Sequence, residues 1–247
     1  MTKLGSLFLL LALVPQASSP SAQNGDAIIE KHLTALGGRD ALTKLTSRKA
    51  TGTVTVTTPA GPLSGPIEIL LKSPNKSHVH MAFDLAAVGG PGTMTLDQGF
   101  DGTAAYSINS MQGETQVPAK QVDNLRNNVF PTPLLEYKQR DAQLEVRPNE
   151  KVGGKDAIVL QVTPKTGSPA RMFLDAETYL LIRLVTTITN PQAGDIEQTT
   201  DLSDYRAVDG VKVPFRVVST NPVQTVSISL DKVEHNVAVD DAVFGKK

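Results

Sequence analysis

Apolar residues change their spacing after about residue 46, and the change divides the chain into a short helical front and a long β segment. From Asp26 to Leu36, the residues Ile28, Ile29, Leu33 and Leu36 recur at helical spacing and give one apolar stripe. Asn24 or Gly25 can cap this helix, Asp26 and Glu30 lie near its positive end, and Gly37-Gly38 ends it. A second short turn follows over Arg39 to Leu45. From Ser47 the spacing becomes two. Val54 and Val56 alternate with threonines, then come Ile67, Ile69 and Leu71. Val79, Met81, Phe83 and Leu85 share one strand face, with His78, His80 and Asp84 on the other. Such alternation describes sheets with one buried and one wet face.

Met94 and Leu96, then Tyr106 and Ile108, form the next strand pair around Phe100-Asp101-Gly102, an Asp-Gly hairpin signal. Alternation stops between Val117 and Arg140, where Ala119 to Asn128 and Pro133 to Gln139 read as two short helices divided by Pro131 and Pro133. Strands then return through Leu144, Val146, Ile158, Leu160, Val162, Met172, Leu174, Leu180, Ile182, Leu184 and Ile188. A second turn signal, Asp209-Gly210, separates Tyr205 from Val211, Val213, Phe215 and Val217, and Val226, Ile228 and Leu230 close the series. Roughly ten or eleven strands result, at the spacing of a sandwich or barrel. The absence of βαβ alternation argues against a doubly wound parallel sheet. The expected fold class is mainly β and antiparallel, in one domain over residues 23–247.

Residues 1–22 read as a signal peptide. Lys3 supplies the positive start, Leu4 to Val14 is apolar and uncharged, and small or polar residues lead to cleavage after Ala22, with Pro20 an unfavourable neighbour. The stretch is too short for a membrane span of ~20 apolar residues. With no cysteine, the chain has neither disulfide staples nor a lipid-carrying cysteine. The expected destination is a periplasm or the cell exterior.

Chemistry is sparse. A formal charge of -1 with no basic stripe argues against nucleic acid as a partner. No serine lies in a G-x-S-x-G elbow, and the run at Gly89 lacks a phosphate-binding fingerprint. His78 and His80 could share a metal on their strand face with Asp84, but a solvated face accounts for them as well. His235, beside Glu234, reads as a surface residue, and Asp240-Asp241 as the cap of a terminal turn that tucks Phe244 into the sheet. No catalytic residue, metal or cofactor is expected. Aromatic residues make up only 4%, too few to suggest stacking of sugars.

Several segments together resemble the LolA-like family of outer-membrane lipoprotein-sorting proteins. They are Leu33-Thr34-Ala35-Leu36-Gly37-Gly38 with Ala41-Leu42, Gly52-Thr53-Val54, Pro74-Asn75-Lys76, and Phe100-Asp101-Gly102 ahead of Ala105-Tyr106. Further along come Leu174-Asp175-Ala176-Glu177-Thr178-Tyr179-Leu180 and the segment from Ser203-Asp204-Tyr205 through Asp209-Gly210-Val211 to Pro214. Val233 to Val237 and Asp240 to Phe244 complete the set. The resemblance implies an antiparallel half-open β-barrel with an N-terminal helix and a short helical lid insertion around Val117 to Arg140. It also implies a periplasmic carrier whose partners are the acyl chains of a lipoprotein or lipid, with membrane-bound donor and acceptor proteins, and a monomer. On that fold the expected lining is Val79, Met81, Phe83, Met94, Leu96, Leu160, Met172, Leu174, Ile182 and Leu184. The alternatives are an exported adaptor module that binds protein without lipid, and an esterase acting on lipid.

Overall fold

In a computed structural model describing residues 25–59, 61–190 and 194–246, the period-two segments form one antiparallel sheet of thirteen strands. The expected signal peptide lies outside the described residues. Two short helices, α1 (Gly25–Leu36) and α2 (Arg39–Thr43), precede the sheet. Strands β1 (Ser47–Thr58), β2 (Gly61–Lys72), β3 (Lys76–Asp84), β4 (Thr93–Phe100), β5 (Ala105–Asn109) and β6 (Gly113–Thr115) form a first meander. The helix α3 (Ala119–Asn127) follows. A second meander runs through β7 (Gln143–Val152), β8 (Lys155–Thr163), β9 (Ala170–Asp175), β10 (Leu181–Asn190), β11 (Gly194–Val208), β12 (Val211–Thr220) and β13 (Thr225–His235).

The two meanders join where the first and last strands pair, so the sheet order is β6-β5-β4-β3-β2-β1-β13-β12-β11-β10-β9-β8-β7. Its edges β6 and β7 do not pair, and the curved sheet is an open half-barrel rather than a closed one. Those edges are successive in the chain, and the segment between them carries α3 and a 3-10 turn at Pro133–Leu135. The expected second helix to Gln139 shortens to that turn. Sequence alternation misses β6 because its three residues, Gly-Glu-Thr, are all exposed and carry no apolar signal.

Turn chemistry fixes the register. Asp101 Oδ1 accepts from the backbone N–H of Thr103 at 2.7 Å and of Ala104 at 2.8 Å, which folds the β4–β5 hairpin. Asp209 and Gly210 have φ of 49° and 81°, the left-handed pair that a two-residue hairpin needs. Where β1 meets β13, the register slips between Thr51/Lys232 and Gly52/Leu230, leaving Asp231 as the extra residue of a bulge. The slip lets both Leu230 and Val233 pack inward, although they are three residues apart.

The main core lies between α1 and the concave face. Ile28, Ile29 and Leu33 are buried against Leu160, Leu174, Val211, Val213 and Phe215. Ile29 and Leu33, both fully buried, each contribute about 1.5–3 kcal/mol to holding α1 on the sheet. A second cluster around Val54, Ile67, Met81 and Phe83 continues this face along the first meander. A third, Val152, Ala157, Val159, Phe173 and Val185, lies on the reverse of the second meander, so β8 is buried on both sides. The terminal turn forms as expected: Asp240 accepts from Ala242 N–H at 3.0 Å, and Phe244 is fully buried.

Candidate functional site

Above the second meander the concave face is not filled. A cavity of about 560 Å³ separates it from the α3 insertion and the α1–α2 corner. Val162, Ala170, Met172, Leu181, Leu184, Ile188 and Leu202 form its sheet side. Leu125 of α3, the segment Pro131–Leu134 and Tyr137 face them from the insertion, and His32, Leu36 and Leu42 from the front helices.

The insertion is attached through polar groups. Among the described residues α3 buries no side chain. Asn124 Oδ1 accepts from the Ser168 N–H at 2.8 Å, while its Nδ2 donates to the Thr187 carbonyl at 3.4 Å. Asn127 Nδ2 donates to the Thr166 carbonyl at 2.6 Å, and Lys120 pairs with Asp195 of β11 at 2.5 Å. After α3, Phe130, Leu134 and Tyr137 anchor the rest of the insertion in the main core. Tyr137 also hydrogen-bonds Asp26 at the start of α1, and Lys138 reaches the same carboxylate at 2.6 Å. Hydrogen bonds from Lys138 and Tyr137 hold the Asp26 carboxyl below the usual carboxylate range. The helix α3 is therefore the lightly held part and the following turn the firm part.

Three polar side chains on the cavity wall have defined states. His32 is buried, and its Nδ1 lies 2.8 Å from the Tyr179 carbonyl. A carbonyl only accepts, so Nδ1 carries the proton and Nε2 keeps its lone pair; burial lowers the imidazole's pKa and favours this neutral form. The Tyr205 phenol donates to the Leu181 carbonyl at 2.7 Å, and burial pushes its pKa up, so it stays protonated. Arg48, on the concave side of β1, donates from Nε to His235 Nε2 at 3.0 Å and stacks 5.3 Å above the Phe130 ring. Burial lowers its pKa to about 10, which leaves it charged at neutral pH.

Of the ten expected lining positions, the cavity brings together Met172 and Leu184. Leu160 and Leu174 lie on the same face but are fully buried in the main core. Val79, Met81, Phe83, Met94 and Leu96 gather in the first-meander cluster, away from the cavity. Ile182 packs against the reverse-face cluster, because a register slip between Leu181 and Arg183 displaces it from the Leu181–Leu184 side. His235 is not the expected surface residue: its side chain is 1% exposed, bridging Arg48 to Asp209, whose carboxylate lies 3.2 Å from Nδ1. Nor does Asp84 join the strand histidines. It caps the 3-10 turn at Leu85–Val88, and Asp97 of β4 approaches His80 at 2.8 Å and His78 at 3.4 Å instead. Among the described residues, no group of three or more histidine or acidic side chains has metal-holding geometry.

Sequence reading passed over Arg48, His32 and Asn124. For Arg48 a signal exists, since it shares its strand parity with Ala50, Val54 and Val56, and a charge at an inward position is unusual. Asn124 carries no such mark, because its partners lie far along the chain, Ser168 in the β8–β9 loop and Thr187 on β10.

No family model and no curated protein matches the sequence. Similar solved structures do exist. A domain assigned to outer-membrane lipoprotein sorting from Vibrio parahaemolyticus superposes with a TM-score of 0.55 at 11% identity, over 89% of this chain and 95% of that one. A LolA superfamily protein from Nitrosomonas europaea gives 0.56 at 12% identity, over 89% and 96%. A DUF1329 family protein from Desulfovibrio piger gives 0.55 at 13%, over 89% and 96%. The chain has the LolA-like half-barrel fold.

Proposed function

We propose that this protein is a carrier that takes up an acyl chain of a lipid or lipoprotein and works outside the cytoplasm. The observation that carries the reading is the cavity itself, about 560 Å³ with an aliphatic sheet side, under a helix tied down by polar contacts. That volume lies in the ligand-pocket range of ~300–1,000 Å³. Transfer of methylenes from water at ~0.8 kcal/mol each would make a 14-carbon chain worth on the order of 10 kcal/mol before ordering costs. Breaking the few hydrogen bonds of α3 costs much less than that, so lid opening permits exchange without unfolding the core. The N-terminal pattern of Lys3 and the apolar Leu4 to Val14 supports export, and the Vibrio parahaemolyticus domain assigned to lipoprotein sorting lends the fold a precedent.

An adaptor that recruits protein by strand addition has less support. The long edge β7 places Glu145, Arg147, Glu150 and Lys151 along its exposed side, and charges there discourage pairing.

Native mass spectrometry of protein purified from a bacterial periplasm, followed by lipid extraction, tests the carrier reading. An acyl species near one-to-one stoichiometry is expected. A clean unliganded mass, with no uptake of a fluorescent fatty-acid probe, refutes it.

A further inference from the structure

Most lysines and arginines of the described chain pair with carboxylates, as in Lys49–Glu68, Arg183–Asp201 and Arg206–Asp204. Arg48 and Arg140 have no carboxylate partner among the described residues, and both line the cavity together with the exposed Lys212. Among the described residues, no aspartate or glutamate lines it. The cavity wall is therefore mostly aliphatic along β8 to β11, and its charged members are cations without a lining counter-charge among the described residues.

Arg48 is the informative member. Its Nε is committed to the neutral His235 and its face to Phe130, so the fork is held in place while its Nη groups keep their donors. A guanidinium removed from water without an anion is costly, and burial lowers its pKa to about 10 while leaving it charged at neutral pH. An anionic group beside it would recover that cost and accept two parallel hydrogen bonds. On the basis of the carrier reading, we propose that Arg48, assisted by Arg140 and Lys212, binds the anionic head of a single-chain lipid, a carboxylate or a phosphate, whose tail lies along Met172 and Leu184. A neutral acyl group on a lipoprotein would leave this charge unmatched.

The test displaces a neutral fluorescent probe from the full mature protein with four ligands of equal chain length: palmitate, lysophosphatidate, methyl palmitate and monopalmitoylglycerol. The two anions are expected to bind about tenfold or more tightly than the two neutral lipids, as a charged hydrogen bond in a desolvated site allows. The stronger of the two anions identifies the head. In Arg48→Met, the preference should shrink to about twofold. Lys44→Met, an equal loss of charge at an exposed lysine outside the cavity lining, should retain it. Equal binding of anionic and neutral ligands by the unaltered protein overturns the head-group proposal and leaves the carrier reading standing. So does a preference that survives in a folded Arg48→Met. Failure of all four ligands to displace the probe, or of the probe to bind at all, overturns the carrier reading and this proposal with it. The comparison within the unaltered protein does not depend on any variant folding.

Discussion

Arg48 and His235 face each other across the β1–β13 pairing, and the guanidinium Nε donates to the imidazole Nε2 at 3.0 Å. Accepting that bond requires a lone pair on Nε2, so the proton of His235 sits on Nδ1, which donates to Asp209 in the β11–β12 turn. The neutral imidazole thus links a cavity-lining charge to a surface hairpin.

Acidification should weaken the fold in a defined window. Burial is the leading cause lowering the pKa of His32, His78 and His235 below the ordinary imidazole value, and Arg48 lowers His235 further. The unfolded chain therefore binds protons that the folded chain resists, so stability is full above the ordinary value of about 6.5 and falls as pH drops below it. Thermal melts should show a lower midpoint at pH 5.5 than at pH 7.5. His235→Gln, which keeps an acceptor for Arg48 and does not titrate, should show a smaller drop. Equal drops would mean that His235 does not contribute to the effect.

The helix α3 should open before the core does. Asn124→Ala removes the bonds to Ser168 and Thr187, worth about 1 kcal/mol each, from a helix that buries no side chain. Amide exchange in α3 should rise about tenfold or more, while the melting midpoint changes little. A large loss of global stability would show instead that α3 belongs to the cooperative core.

Much of this was legible in the chain because period-two patterning and turn chemistry are local. Val54, Ile67 and Met81 announce their strands, and Asp209-Gly210 its hairpin, from neighbouring residues alone. The cavity was not legible, because whether an inward side chain meets a packed neighbour or a void depends on what lies opposite. Leu174 and Met172 sit two apart on β9 and face the same way, yet the first is fully buried in the main core and the second lines the open space. Ile182 was misplaced by one register slip, which a strict alternation rule cannot foresee.

Gly37 should tolerate no side chain. Its φ of +127° is disfavoured for other residues, and a Cβ there would lie 2.4 Å from the Gly210 carbonyl oxygen and 3.0 Å from Val211 Cα. Backbone strain of this kind costs about 1–3 kcal/mol, and the clash with the β11–β12 turn adds to it. Gly37→Ala should lower stability by at least that amount in denaturant unfolding. The neighbouring Gly38, also at positive φ but with open space around its Cβ position, should lose less. Equal losses would mean that dihedral strain alone decides, and that the docking of α1 on the turn is not tight.

The packed and the open parts of the concave face should respond oppositely to substitution. Phe83 is 2% exposed within the first-meander cluster, so Phe83→Ala leaves a cavity worth about 3–5 kcal/mol and should threaten the fold. Leu184 is only partly buried and faces the existing void, so Leu184→Asp can hydrate its carboxylate there and keep the sheet intact. The same charge stands where the proposed acyl tail would lie, and it should abolish uptake of a fluorescent fatty-acid probe in a protein with unchanged far-ultraviolet circular dichroism. Probe binding that survives Leu184→Asp would place the ligand elsewhere on the sheet. Loss of fold in that variant would show that the space beside Leu184 closes in solution.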